Sequence, residues 1–576
     1  MRKYVSLILL LGLAACSVEP TDTSADDAAS PWPHGAMVSA ANPYAAQAAA
    51  DMLQAGGHAV DAAIAAHAVL GLVEPQSSGL GGGAFMLVYQ QTDDSIVAYD
   101  GRETAPAAAT EDMFVVDGEP LPYLKAWQSG ISVGVPGVIA LYHDTHAEHG
   151  RLDLATVLAP AIELAREGFV VSPRLADFLV RLREYIRLDE NPDTAGYFYP
   201  DGEPLPEGFV RSNEAYAQTL EDFISKGPAA FYRGDLAHEI VAAARAEPLP
   251  GTLSLEDLVN YRVERREALC APVPPQRICA MPPPSSGLAQ IMILGLYDRI
   301  AADLASDTET ARWSAFVDAQ RLAYADRDHY VADADFVDVP VNDLISPRYL
   351  DARADQRSEP AAAPATGDPG AVLRGEPLLG RWAADSTQPM PSTSHLSVID
   401  SDGNAVSLTA SVESVFGSSR WAGGFLLNNQ LTDFARDPSA TDTSAANRVE
   451  PGKRPRSSMS PTMVFDGNGR LQMITGSPGG NSIVAYVAKS IVGALRWDLS
   501  AQQAIDLPNV VARGREVRVE TGVPGGSELA DALADQGYPV EEREGENSGL
   551  HVLLVTDDGV TGGADPRREG QVIPVR

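Results

Sequence analysis

Near residue 359 the chain changes character, and that change constrains its fold more than any other feature. Upstream, apolar residues recur every three or four positions over 155–168, 213–225, 236–246, 288–305 and 312–330, the spacing of helices that bury one face. A stretch rich in Pro, Ala and Gly follows, EPAAAPATGDPGAV, which is linker chemistry. Beyond it the period falls to two. Residues 395–400 and 405–411 alternate around Ser401-Asp402-Gly403-Asn404, which favours a hairpin turn. Further strands are expected over 471–475, 517–520, 540–543 and 551–555, with helices over 483–496, 501–505 and 528–536. The upstream half also supplies strands. Two Ala-rich helices within 43–72, broken at Gly56-Gly57, precede a glycine loop that leads into strands over 84–89 and 96–99, and SVGVPG then punctuates the start of another helix. The expected class is α/β (α+β): a mainly helical N-terminal segment contributing some strands, a strand-rich C-terminal one, and a boundary near 359.

Charge removes one group of functions. The 43 Lys and Arg face 78 Asp and Glu, a net charge of −35, whereas nucleic-acid recognition needs clustered cations, so no nucleic-acid partner is expected. At the N-terminus Arg2 and Lys3 precede an apolar run over 5–15, too short for a permanent span, that ends Leu13-Ala14-Ala15-Cys16. This is similar to a bacterial lipoprotein signal. The expectation is a leader over 1–15, a lipid-modified Cys16, a flexible tether over 16–33, and a periplasmic or cell-envelope protein that meets a membrane only through its lipid. The alternative is an ordinary cleaved signal with an accidental Cys. Cys270 and Cys279 flank a Pro-rich turn between two short extended runs. In an exported chain they are expected to form one disulfide, the alternative being two small buried thiols.

The densest candidate for chemistry is PSTSHLSVID at 391–400, where Thr393, Ser394, His395 and Ser397 open a strand just after the linker. A hydroxyl is a weak nucleophile and needs a base. A Thr whose N-terminal peptide bond is cut gains its own α-amine, which titrates near neutrality, as that base. TGSPGGNS at 475–482 follows a strand and opens a helix, so its backbone N–H groups can stabilise an oxyanion. GRETAP at 101–106 offers a guanidinium suited to a carboxylate. RPRSSMSPT at 454–462 adds paired hydroxyls, and LLNNQLTDF at 426–434 adds amides and a carboxylate. HDTHAEH at 143–149 presents His143, His146 and His149, but the helical step makes the outer pair drift apart, so a solvated helix end is expected rather than a metal site. GLGGGA lacks the spacing of a dinucleotide fingerprint.

Taken together, these motifs resemble one family, from about Ala36 to the end: GLGGGAFMLVY, DGRETAP, VGVPG, MPPPSSG, YADRDHY, TSHLSVID, LLNNQLTDF, KRPRSSMSPT, TGSPGG and ADPRREG, in family order. It is the γ-glutamyltransferases (γ-glutamyl transpeptidases), N-terminal-nucleophile hydrolases that mature by cutting themselves. The resemblance implies a four-layer αββα sandwich, built jointly by a large fragment, 34–392, and a small one, 393–576, after cleavage between Ser392 and Thr393. It implies Thr393 as nucleophile, with Ser411 supporting its amine and Gly479 and Gly480 forming the oxyanion hole. Arg102, Ser457 and Ser458 match the groups that hold a donor α-carboxylate, and Gln430 with Asp433 those that hold its α-ammonium. No cofactor is implied. The partners implied are a γ-glutamyl donor such as glutathione and an amino acid, a peptide or water as acceptor.

Two departures bear on substrate. Glu413 stands where better-known members have Asn, and the 19 residues from Phe434 to Gly452 are shorter than the lid-bearing segment of several members and hold no Tyr or Trp. With Asp433 and Glu413 both read as carboxylates, a γ-glutamyl head with its ammonium is expected to be preferred over a glutaryl head. The competing readings are a glutaryl-type (cephalosporin) acylase of the same family and a catalytically silent, lipid-anchored binding protein.

Overall fold

The strands on either side of residue 359 do not form separate sheets. The computed structural model describes residues 32–186, 188–383, 385, 392–438 and 443–576; the leader, Cys16 and the tether up to residue 31 lie outside the described residues. Its first sheet runs in the order Gln571–Val575, Ala36–Ala40, Ser392–Ile399, Ala405–Glu413, Gly83–Gln90, Ser95–Gly101, Glu264–Glu267, with every neighbouring pair antiparallel. The second runs Gly559–Ala564, His551–Thr556, Leu471–Thr475, Thr462–Phe465, Gln276–Ala280, Leu269–Val273, also antiparallel. Each therefore mixes strands from both halves. The composition shift near 359 marks a connection and not a domain boundary.

Alternation along the strands assigns the layers. In Ser392–Ile399, Leu396 and Val398 enter a core shared with the helices Pro43–Gln54 and Ala59–Val73, while His395 and Ser397 face the second sheet, where Ser397 Oγ donates to the His551 carbonyl at 3.0 Å. The Ala-rich helices lie close on the first sheet because alanine costs little helix propensity and little space. Asn42 caps one, accepting from the Tyr44 N–H, and His58 with Asp61 forms a capping box on the other. Helices Gly287–Ala302 and Ile483–Arg496 cover the far side of the second sheet. The result is the αββα sandwich. The hairpin Leu269–Val273/Gln276–Ala280 sets Cys270 directly opposite Cys279, and their sulfurs are bonded at 2.09 Å.

Candidate active site

The strands Ser392–Ile399 and Ala405–Glu413 place Thr393, the residue expected from sequence to be the nucleophile. Ser392 pairs with Glu413, but the next paired residues are Ser394 and Ala410, so a bulge takes Thr393 out of the ladder. Thr393 Oγ1 donates a very short hydrogen bond to the carbonyl oxygen of Ser392, the residue to which it is joined. Ser411 Oγ donates to the same oxygen at 2.6 Å, accepts from the Glu413 N–H at 2.8 Å, and lies 3.1 Å from Thr393 Oγ1. Two hydroxyls thus polarise one carbonyl.

A cavity opens beside Thr393, lined also by Ser411, Glu413, Arg102, Gln430, Asp433, Ser457, Ser458 and Gly480. Nine of the ten catalytic and substrate-binding residues expected from sequence line it. Gly479, the tenth, adjoins Gly480 with φ +137°, a conformation that favours glycine, and a Cβ there would fall 2.4 Å from the Tyr486 ring. The loop leads through the turn Gly480–Ser482 into helix Ile483–Arg496, whose first N–H groups have no partner within the helix. Gly476 in the same motif has a different cause: a Cβ there would overlap the buried His395 ring.

In the cavity the groups expected to hold opposite charges of a ligand hold each other. Arg102 Nη2 donates to Asp433 Oδ2 at 2.5 Å and to the Arg456 carbonyl at 2.8 Å, and Gln430 Nε2 donates to the same Asp433 oxygen at 2.8 Å. A zwitterionic head can exchange with this pair, its carboxylate taking the guanidinium and its ammonium the aspartate. Ser458 Oγ accepts from Arg327 Nη2 at 2.6 Å and donates to Asn481 Oδ1 at 3.1 Å. The loop that carries Ser457 is set by the MPPPSSG segment: the Ser457 N–H donates to the Pro284 carbonyl, and Ser286 Oγ donates to the Ser457 carbonyl at 2.6 Å.

The sequence profile described as Gamma-glutamyltranspeptidase matches residues 45–575. The chain belongs to that family. It is 34% identical over 542 residues to the glutathione hydrolase proenzyme of Escherichia coli (strain K12), covering 92% of this chain and 90% of that protein. It is also 32% identical over 552 residues to the Acylase ACY 1 proenzyme of Pseudomonas sp. (strain V22), with 94% and 93% covered. Among solved structures, the cephalosporin acylase from Bacillus halodurans matches with a TM-score of 0.81 at 28% identity, over 94% of this chain and 96% of that one. The fold is accordingly the αββα sandwich of the N-terminal-nucleophile hydrolases.

Within this γ-glutamyltranspeptidase framework, the surroundings of Glu413 bear on its charge. Its side chain is fully buried, accepting from Asn429 Nδ2 at 2.8 Å and from Ser414 Oγ in a very short bond, with the Tyr123 hydroxyl 3.3 Å away. Burial pushes its carboxyl well above the ordinary range and the nearby Asp433 adds to the rise, which favours the protonated form. Asp433 is already bonded to Arg102 and Gln430. The pocket does not present two bare carboxylates. Glu413 also has φ +79°, a region that Asn, the residue of better-known family members, tolerates more easily.

Sequence reasoning missed Arg327, Arg456 and Asn481 in the cavity wall, although each lies inside a quoted motif; the charge of YADRDHY was the available signal. Tyr123 carried none. The segment after Asp433 has no Tyr or Trp, yet Tyr123 arrives from the short helix Tyr123–Trp127, and Arg436 of that segment lies 5.0 Å from its ring. His146 Nε2 bonds to the Leu152 carbonyl and His149 to the Tyr99 hydroxyl, so HDTHAEH is tied into local packing. Among the described residues no cluster of three or more His, Cys, Asp or Glu is arranged to hold a metal.

Proposed function

We propose that this chain is a self-processing γ-glutamyltransferase and glutathione hydrolase with Thr393 as its nucleophile. Thr393 Oγ1 attacks the Ser392 carbonyl carbon, its proton passes to the peptide nitrogen, and the C–N bond breaks to leave an ester. Water hydrolyses the ester, giving a Ser392 carboxylate and a free Thr393 α-amine. Fragments 34–392 and 393–576 stay together because every sheet layer contains strands of both. In turnover the α-amine takes the Oγ1 proton, and Oγ1 attacks the donor's γ-carbonyl. The N–H groups of Gly479 and Gly480 stabilise the oxyanion, and the leaving amine departs protonated. Water or the amine of an amino acid or peptide then releases the γ-glutamyl group. The sequence draws on no cofactor.

One observation carries this reading: the Ser392 carbonyl is clasped by Thr393 Oγ1 and Ser411 Oγ at the edge of the cavity that holds Arg102 and Asp433. A denaturing gel tests it. Purified chain should convert to two fragments whose smaller one begins at Thr393 by N-terminal sequencing. A chain that stays whole while turning over γ-glutamyl anilide rules the mechanism out.

The glutaryl-acylase reading gains from the raised Glu413 carboxyl, because a head without an ammonium then meets less negative charge beside an Asp433 that is already paired. The γ-glutamyl donor remains first because only an ammonium can replace Arg102 on Asp433 when the guanidinium turns to the ligand. We also propose export through the leader and lipidation at Cys16. Intact mass of membrane-extracted protein reads this directly, since an unmodified Cys16 start removes the lipid.

A further inference from the structure

We propose that Arg568 is a positioning residue for the nucleophile, holding the Thr393 carbonyl so that the freed α-amine faces Oγ1 and disfavouring, by its charge, the protonated form of that amine. This deepens the reading of Thr393 as an N-terminal nucleophile and rests on it. Arg568 comes from ADPRREG near the C-terminus and is 7% exposed. Its Nη1 donates to the Thr393 carbonyl at 2.7 Å, Nε to the Ser548 carbonyl at 3.2 Å, and Nη2 to the Asn547 carbonyl and Oδ1, each at 3.1 Å. The bulge has removed Thr393 from the strand ladder, so its carbonyl needs a partner from elsewhere, and a guanidinium supplies it.

None of those acceptors is a carboxylate; Glu74 and Asp565 offset part of the charge from further away. Glu74 is buried, and that burial pushes its carboxyl up. Asp565 is committed to Ser548 Oγ, the Leu550 N–H and Arg567. Glu569 accepts from the backbone N–H of Arg174, whose own guanidinium stands near Arg568 as a second cation. Tyr486, from the helix after the glycine loop, is held neutral by burial. Burial with the neighbouring Arg174 brings Arg568 down to about 9, so it remains cationic near neutrality. Standard backbone dimensions put its guanidinium within roughly 6 Å of the Thr393 nitrogen. At that range a like charge makes the ammonium form costlier, which is what a base working near neutrality requires.

The test is the pH profile of kcat/KM for γ-glutamyl-p-nitroanilide in wild type, Arg568→Met and Arg568→Lys, each first shown on a denaturing gel to have formed both fragments. Arg568→Met should lower kcat on the order of 10²-fold with KM changed less than about threefold, and should move the acid limb upward by about one unit, because the amine now holds its proton to higher pH. Arg568→Lys keeps the charge without the fork, so its acid limb should stay while kcat falls less. An unmoved limb in Arg568→Met, or an equal shift in both variants, overturns the proposal. So does failure of both to accumulate as folded two-fragment protein, which would make Arg568 a folding determinant. Failure of the wild type to split would instead overturn the underlying reading.

Discussion

The two ends of the active-site cavity are built by different physics. At the nucleophile end, position comes from the backbone: a bulge between two central strands, the Ser411 hydroxyl on the strand opposite, and carbonyls held from behind. At the head-binding end, position comes from exchangeable charge, with Arg102 from the end of one strand meeting Asp433 from a 3₁₀ turn more than three hundred residues away. A backbone-held group keeps its place whether or not a ligand is present. A charge-held pair must open to bind. Substitutions at the first end should therefore abolish chemistry, and those at the second should change which ligands bind and how tightly.

The largest effect tests the first end. Thr393→Ala should leave the chain whole on a denaturing gel and lower γ-glutamyl anilide turnover by on the order of 10⁴-fold or more, the scale seen when a nucleophile is removed. Ser411→Ala should slow fragment formation more than it changes donor KM, because the hydroxyl bonds to the Ser392 carbonyl, where the proposed cut falls, and to neither Arg102 nor Asp433. Equal losses in both would erase the distinction between the two ends.

Next comes the head-binding pair. Asp433→Asn removes the acceptor for an ammonium and leaves Arg102 buried without its carboxylate partner, so kcat/KM for a γ-glutamyl anilide should fall about 10²-fold, or roughly 3 kcal/mol, mostly through KM. Fragment formation should proceed. The comparison sharpens if the same variant loses little toward a glutaryl anilide, which brings no ammonium, and breaks if processing fails.

Legibility did not divide along the two ends, since Thr393 and Ser411 at one and Arg102 and Asp433 at the other all stood among the residues expected from sequence. Ser411 is implied only by the family resemblance, whereas Thr393 and the glycine loop could be singled out from local pattern, a strand start and a loop before a helix. The helices over 43–72 and the strands flanking 401–404 could be read for the same reason. Strands Ala36–Ala40 and Thr462–Phe465 could not, since both are short and buried throughout, with no alternation to betray them. Interleaved sheets, the approach of Arg327 to Ser458, and Arg568 on the Thr393 carbonyl arise from packing between distant segments, which no local spacing encodes. The state of Glu413 also depends on packing that no local spacing encodes: burial and the nearby Asp433 push its carboxyl up, against the hydrogen bonds donated by Ser414 and Asn429.

Glu413 gives the smallest effect and the finest test, because it stands between the two ends. Its pKa is raised in the folded chain, so the folded state binds its proton more tightly than the unfolded one. That term is harmless below the ordinary carboxyl range and erodes stability as pH climbs above it. Glu413→Asn removes the term and places an easier residue at φ +79°, so its melting temperature should exceed wild type by more at pH 8 than at pH 5. Substrate dependence follows from the same proton. An arriving ammonium favours ionised Glu413, so the wild-type KM for a γ-glutamyl anilide should fall as pH rises, while that for a glutaryl anilide, whose carboxylate is repelled by an ionised neighbour, should rise. Both slopes should flatten in Glu413→Asn, with fragment formation unchanged. If the two anilides follow the same slope in wild type, Glu413 takes no part in reading the head, and donor preference then rests on the Arg102–Asp433 pair alone.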